Sequence, residues 1–220
     1  MSRKKLERFR DNEIVTNVVQ EGKAAFEANI GKWSEAQFKN TNDIVIELGC
    51  GRGEYTVGLA ENISNKNFIG VDIKGARIWI GSQYAIENKL NNVAFLRTQI
   101  NLLDKHFAQN ELSEIWITFP DPRPKDGDEK RRLTSPRFME MYKTLLKKDG
   151  WVKFKTDNTA LFNYTLEVLA DEIKVRNLIH THDLYNSVYM DEHFGVKTKY
   201  ENLFYEKGEL IKYLKFQFEY

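Results

Sequence analysis

In the stretch Ile44-Val45-Ile46-Glu47-Leu48-Gly49-Cys50-Gly51-Arg52-Gly53 a hydrophobic run enters three glycines at alternate positions and leaves through the helical segment Glu54 to Asn62. A strand turning directly into a helix is the opening unit of a parallel α/β sheet. Glycine permits positive φ and lacks the Cβ that would block a ligand, so a ligand is expected to approach this backbone closely. The dinucleotide fingerprint needs a further glycine at position 54, where Glu54 stands, and Glu47 serves a pyrophosphate poorly. An acidic strand end suits a cationic or amine-bearing ligand better. Asp72 ends the next strand, where a carboxylate can accept from two ribose hydroxyls or cap the helix that follows.

Working outward, Asp43 to Leu48, Asn67 to Asp72, Val93 to Thr98, Glu114 to Phe119, Trp151 to Thr156 and Lys174 to His180 read as strands rich in Ile, Val, Phe and Trp. Helical patterns lie between them. Ala76, Trp79, Ile80, Ile86 and Leu90 share one face, and Phe138, Met141, Tyr142, Leu145 and Leu146 follow helical spacing behind Ser135 as N-cap and Pro136, with Gly150 beyond the end. Such alternation predicts an α/β fold: an open, mostly parallel, doubly wound sheet. Leu214, Phe216, Phe218 and Tyr220 alternate with Lys215, Gln217 and Glu219, predicting an antiparallel C-terminal strand with one drier face at the end of the sheet.

The chain has 220 residues, 41% hydrophobic and 30% charged, which excludes a fibrous or disordered protein. Its one cysteine, Cys50, rules out an internal disulfide and fits a reducing cytosol. No apolar run approaches the roughly 20 residues that span a bilayer, and no secretory pattern is visible, so a cytoplasmic setting is expected. Net charge is +1, yet residues 1–10 carry +4 and residues 122–148 carry +5, on a body of −8. Two basic blocks on an acidic body are the footprint that phosphates select, although a single charge run is usually only solvated surface.

All four prolines fall between Pro120 and Pro136. Pro120-Asp121-Pro122 fixes an acid at the end of the fourth strand, and the basic run Lys130-Arg131-Arg132 follows. Glu47-x-Gly49-x-Gly51-x-Gly53 with Asp72 resembles the S-adenosylmethionine site of class I methyltransferases. Pro120-Asp121-Pro122, Lys125, Lys130 to Thr134, Phe154-Lys155-Thr156-Asp157-Asn158 and Thr198-Lys199-Tyr200-Glu201, in that order, resemble the bacterial tRNA (guanine-N7)-methyltransferases, the TrmB family, across residues 41–220. The resemblance implies a methyltransferase domain over 41–220 behind a basic N-terminal arm and helix over 1–40. It also implies methyl transfer from S-adenosylmethionine to guanine 46 of the tRNA variable loop.

By motif, the resemblance places Glu47, Gly49, Gly51, Gly53, Asp72, Gln99, Ile100 and Asp121 at the cofactor, with Asp121 also facing the guanine as the catalytic residue. Lys125, Asp157, Thr198, Lys199, Tyr200 and Glu201 would form the guanine pocket, and Gly127, Asp128, Glu129, Lys130, Arg131 and Arg132 would lie along the tRNA. The chain departs from the family in carrying Arg123 for tryptophan, Asp128 for histidine, Asp72 for glutamate and Gln99 for aspartate.

Guanine N7 bears a free lone pair, so its methylation needs alignment and carboxylates near the developing cation more than a strong base. No metal is expected: His180, His182 and His193 lack a neighbouring cysteine and read as structural. The resemblance implies tRNA as the partner, with the protein acting as a monomer or homodimer. Two other readings stay open: a class I methyltransferase acting on another RNA or a small molecule or protein, and a non-catalytic RNA-binding subunit.

Overall fold

A computed structural model describes residues 3–220. Met1, Ser2 and the side chain of Arg3, where the basic N-terminal segment starts, lie outside the described residues. In chain order the elements are α1 (Arg3–Ile14), β1 (Val18–Gln20), α2 (Ala25–Ala28), β2 (Asp43–Leu48), α3 (Glu54–Asn62), β3 (Lys66–Val71), α4 (Gly75–Glu87), β4 (Val93–Arg97), β5 (Leu112–Thr118), α5 (Pro136–Leu145), β6 (Leu146–Thr156), α6 (Thr159–Asp171), β7 (Val175–Thr181), α7 (Lys199–Glu206) and β8 (Lys212–Phe218). All eight strands join one sheet in the order β1-β4-β3-β2-β5-β6-β8-β7. Every pairing is parallel except those of β8, which runs antiparallel to both β6 and β7.

Period-two alternation in β2 accounts for both layers of the core. Ile44, Ile46 and Leu48 pack with Phe138, Tyr142, Leu161 and Phe162 beneath α5 and α6. Val45 points the other way, into the cluster of Tyr55, Leu59 and Ile78 beneath α3 and α4. The sheet is therefore covered on both faces, as the hydrophobic runs require. From β2 the chain steps outward through β3 and β4, then returns to β5 on the other side. The carboxyl ends of β2 and β5 are thus the switch point, where such sheets hold their ligands.

Several expectations change. The C-terminal strand is antiparallel, but it lies second from the edge, with β7 outermost. Flanked on both sides, β8 buries Lys212, Tyr213 and Gln217 as well as its apolar residues, so it has no wet face. The edge strand β1 escaped prediction because three residues show no periodicity. Gly150, expected past the end of a helix, lies inside β6, which begins directly after α5. Ser135 occupies the N-cap of α5 in extended geometry, but its hydroxyl makes no capping bond.

The N-terminal helix is built into this framework. Asn12 Nδ2 donates to Gly75 O at 2.8 Å, Trp79 Nε1 donates to Asp11 Oδ2 at 2.8 Å, and the Arg8 guanidinium lies 4.7 Å over the Trp79 ring. Lys4, Lys5 and Arg10 remain exposed.

Candidate functional site

Glu47, the penultimate residue of β2, is 4% exposed. Its Oε2 accepts from Thr56 N at 2.9 Å and Thr56 Oγ1 at 2.5 Å, and its Oε1 accepts from Thr118 Oγ1 at 2.7 Å. Burial pushes the carboxyl up to about 7, against the opposing pull of the two threonines and of Lys155. A cationic ligand group beside Glu47 would return it to the ionised form.

The glycine turn shows why its residues differ. Gly49 and Gly51 have φ of +71° and +57°; a Cβ on Gly49 would meet nothing within 4 Å, and one on Gly51 only Gly49 O at 3.9 Å. Both face open space that a ligand can enter. Gly53 is different: a Cβ there would stand 2.6 Å from the Phe95 ring, so this glycine lets α3 pack on the sheet. The buried Cys50 thiol is pushed well up by burial, then by Glu47 and Asp72.

The cleft in front of this turn measures about 530 Å³ and is walled by Glu47, Gly49, Gly51, Thr118, Asp121 and the Thr198–Tyr200 segment, with Arg52, Glu54, Arg77 and Leu203. A second cavity, about 750 Å³, is walled by Ile73, Arg97, Thr98, Gln99 and His106 together with residues of the 13–30 segment. Asp72 connects residues of the two walls. Its Oδ2 accepts from Gly51 N at 3.0 Å, its Oδ1 accepts from Lys74 N at 2.8 Å, and Ile73 follows it into the second wall. Ile100, after Gln99, packs against the core.

Asp121 extends beyond β5 between two residues in the left-handed region, Phe119 at φ +47° and Arg123 at φ +46°. Non-glycine residues there store about 1–3 kcal/mol each, a strain that clusters at functional sites. The Asp121 side chain is 65% exposed, and its Oδ2 lies 3.3 Å from Arg123 Nε while its Oδ1 accepts from Arg123 N at 3.2 Å. Arg132 Nε donates to Arg123 O at 3.2 Å, and its guanidinium lies 4.3 Å over Tyr164. Arg132 thus braces the Asp121 loop. Gly127, Asp128, Glu129, Lys130 and Arg131 form a short 3-10 helix whose Arg131 pairs with Asp128 at 3.0 Å, and Lys125 and Lys130 are exposed beside it.

Thr198, Lys199 and Tyr200 open α7 at the mouth of the cleft. Glu201 does not stand there with them. It is fully buried, closes a capping box with Thr198, accepts from Tyr185 OH at 2.5 Å and lies 2.6 Å from Lys155 Nζ. Burial lowers the Lys155 ammonium, opposed by Glu201. Asp157, half-buried after β6, lies outside the cleft wall; burial raises its carboxyl, and its backbone carbonyl accepts from Lys212 Nζ at 2.7 Å.

The fold therefore gathers Glu47, Gly49, Gly51, Asp121, Thr198, Lys199 and Tyr200 around one cleft, while Gln99 lines the second cavity. Sequence reasoning missed Thr56 and Thr118, which hold Glu47, and Arg52 and Arg77 in the wall. Thr118 carried one available signal, its place just before Phe119-Pro120-Asp121. Among the described residues, no cluster of His, Cys, Asp or Glu is placed to hold a metal ion, and no helix is long and apolar enough to cross a membrane.

Similarity to known proteins follows the same architecture. Residues 41–214 match the family model described as "Putative methyltransferase". A tRNA (guanine-N(7)-)-methyltransferase of Cytophaga hutchinsonii is 50% identical over 219 residues, covering 99% of each chain. One from Christiangramia forsetii is 48% identical over 221 residues, 98% of each. Among solved structures, the 16S rRNA methyltransferase KamB superposes with a TM-score of 0.62 at 11% identity, over 87% of this chain and 95% of that one, a likeness of fold. With its fold, its glycine turn and near-full-length relatives in agreement, the chain belongs to the tRNA (guanine-N7)-methyltransferase family.

Proposed function

We propose that the protein transfers a methyl group from S-adenosylmethionine to N7 of guanine 46 in the variable loop of tRNA. The observation that carries this reading is the convergence of Glu47, the open glycine turn, Asp121 and the Thr198–Tyr200 segment at the switch point of the sheet. The donor set fits the cofactor. Gly49 and Gly51 leave a backbone cradle that any Cβ would fill. The cleft wall offers carboxylates and guanidiniums together, as a zwitterionic amino-acid end requires, and Asp72, bonded to Gly51 of that wall, is a carboxylate suited to ribose hydroxyls. When bound, the cofactor supplies an electrophilic methyl group on a sulfonium.

In this reading Glu47 orients the cationic amino-acid end and Gly49, Gly51 and Gly53 shape the turn beneath it. Asp72 binds the ribose, and Gln99 and Ile100 border the adenine. Asp121 faces both the sulfonium and the guanine, whose ring becomes cationic as N7 is alkylated; a carboxylate there stabilises the transition state more than the ground state. No proton has to leave N7, so the residues align rather than deprotonate.

Thr198, Lys199 and Tyr200 wall the guanine, Glu201 acts through the turn that it holds, and Asp157 and Lys125 complete the guanine pocket. Gly127 to Arg132 follow the tRNA backbone, with Lys130 and Arg131 as phosphate contacts. The setting is cytoplasmic, and no metal takes part. Incubating the protein with labelled S-adenosylmethionine and bulk tRNA, then cleaving with aniline at 7-methylguanosine, tests the assignment. Cleavage in the variable loop is expected, label in tRNA without cleavage there revises the position, and unlabelled tRNA defeats the reading.

A further inference from the structure

The first turn of α7 is clamped from two sides. On the outside, Lys199 N donates to Glu54 Oε2 at 2.8 Å, joining the turn to the start of α3 directly behind the glycines. On the inside, Glu201 is fully buried and gathers four groups: Lys155 Nζ of β6 at 2.6 Å, Tyr185 OH at 2.5 Å, and the reciprocal capping bonds with Thr198 at 3.3 and 3.1 Å. Apart from this ion pair the Lys155 ammonium has no hydrogen-bond partner among the described residues, and it lies 4.7 Å over the Tyr55 ring. A buried ion pair gives little net stability over an apolar equivalent, but it fixes register, because either charge left alone is heavily penalised. Here the register it fixes is that of Thr198, Lys199 and Tyr200 at the cleft mouth.

We infer that Lys155 and Tyr185 are positioning residues for the target base: through Glu201 they lock the Thr198–Tyr200 turn at the height of the cleft, without touching the base themselves. The inference rests on the reading of that turn as the guanine wall. It separates two sub-sites by their bonds: Lys155 pairs with Glu201 on the base side and reaches Glu47 only as the weakest, long-range pull on its carboxyl, while Glu47 keeps its own hydrogen bonds from Thr56 and Thr118.

Lys155→Met alone strands the Glu201 charge and endangers folding, so the decisive variant is the full-length double substitution Lys155→Met with Glu201→Gln. It removes both charges, and glutamine can still close the capping box. Hydrogen exchange of the unliganded protein gives a readout independent of activity. In the double variant amides 198–202 should lose about tenfold protection or more, with the rest of the sheet unchanged. In methyl transfer, KM for tRNA should rise about tenfold or more while the Kd for S-adenosylmethionine stays within about threefold.

A folded double variant with unchanged exchange and unchanged KM overturns the inference. So does a parallel loss of S-adenosylmethionine affinity, which would make the cluster part of the cofactor site. If the wild-type protein leaves tRNA unmethylated, the functional reading fails, while the exchange experiment still judges the clamp.

Discussion

Thr118 Oγ1 donates to Glu47 Oε1 at 2.7 Å, tying the carboxyl end of β5 to that of β2 across the switch point. Two residues beyond Thr118 the chain enters the proline cluster, so one hydroxyl links the strand that presents Glu47 to the strand that presents Asp121. With Thr56 on the other oxygen, Glu47 is oriented before any ligand arrives.

Cofactor affinity should therefore depend on pH through Glu47. The folded carboxyl titrates at about 7 against 4.5 for the free group, so the folded state holds an extra proton between those values. That contribution to stability is fully present below pH 4.5 and is lost as pH rises through 7. A cationic ligand end favours the ionised form, so S-adenosylmethionine should bind more tightly as pH rises through about 7 and release a proton on binding below it. Calorimetry in two buffers of different ionisation heat measures that proton. Glu47→Gln should abolish the pH dependence and weaken binding, and proton release surviving in that variant would exclude Glu47 as its source.

Asp121→Ala should lower kcat by about 10²- to 10³-fold, the cost of removing one aligned electrostatic group, while tRNA affinity stays near that of the wild type. Single-turnover methylation alongside filter binding separates the two quantities. Near-normal turnover would remove Asp121 from the chemistry.

The glycines should divide by function. Gly53→Ala puts a methyl group 2.6 Å from the Phe95 ring, and overpacking of this kind costs about 1–3 kcal/mol before the strain of a positive φ is added. Its midpoint in urea should fall. Gly49→Ala meets no protein atom within 4 Å, so its loss of stability should stay near the φ penalty of about 1 kcal/mol, while S-adenosylmethionine binding drops sharply. Equal effects of both substitutions on cofactor binding would contradict this division.

Lys130→Ala and Arg131→Ala should each weaken tRNA binding and reduce the slope of log K against log salt by about 0.7–0.9. Arg132→Ala should change the slope less and catalysis more, because its guanidinium braces the Arg123 carbonyl and covers Tyr164. Binding isotherms at several salt concentrations, compared with kcat, distinguish the two classes.

Much of this site is legible in the chain because its signals are local. The β2 boundaries, the glycine turn, the strand-end acids and the proline cluster each occupy a few consecutive residues, and backbone chemistry dictates their conformation. What stayed hidden depends on distant partners. Thr56 and Thr118 look ordinary until β2 and β5 pair, and Glu201 reads as a ligand-binding acid until Lys155 and Tyr185 arrive from other elements to bury it. Lys215 looks like the wet side of an edge strand, yet it pairs with Glu192 and lies over the Trp151 ring. Its partial burial follows from sheet order, which periodicity in one strand does not encode.

The place of β8 also sets when the sheet can close. It is the last of the eight strands to be synthesised, yet it inserts between β6 and β7. Until residues 212–218 emerge, β6 has one bare edge along Val152 to Thr156 and β7 has no neighbour at all. A nascent chain that already carries the whole glycine turn and Asp121 therefore still lacks the support under Lys155. The sheet is therefore complete only once residues 212–218 have paired, and before that the open edges of β6 and β7 are exposed to wrong pairing.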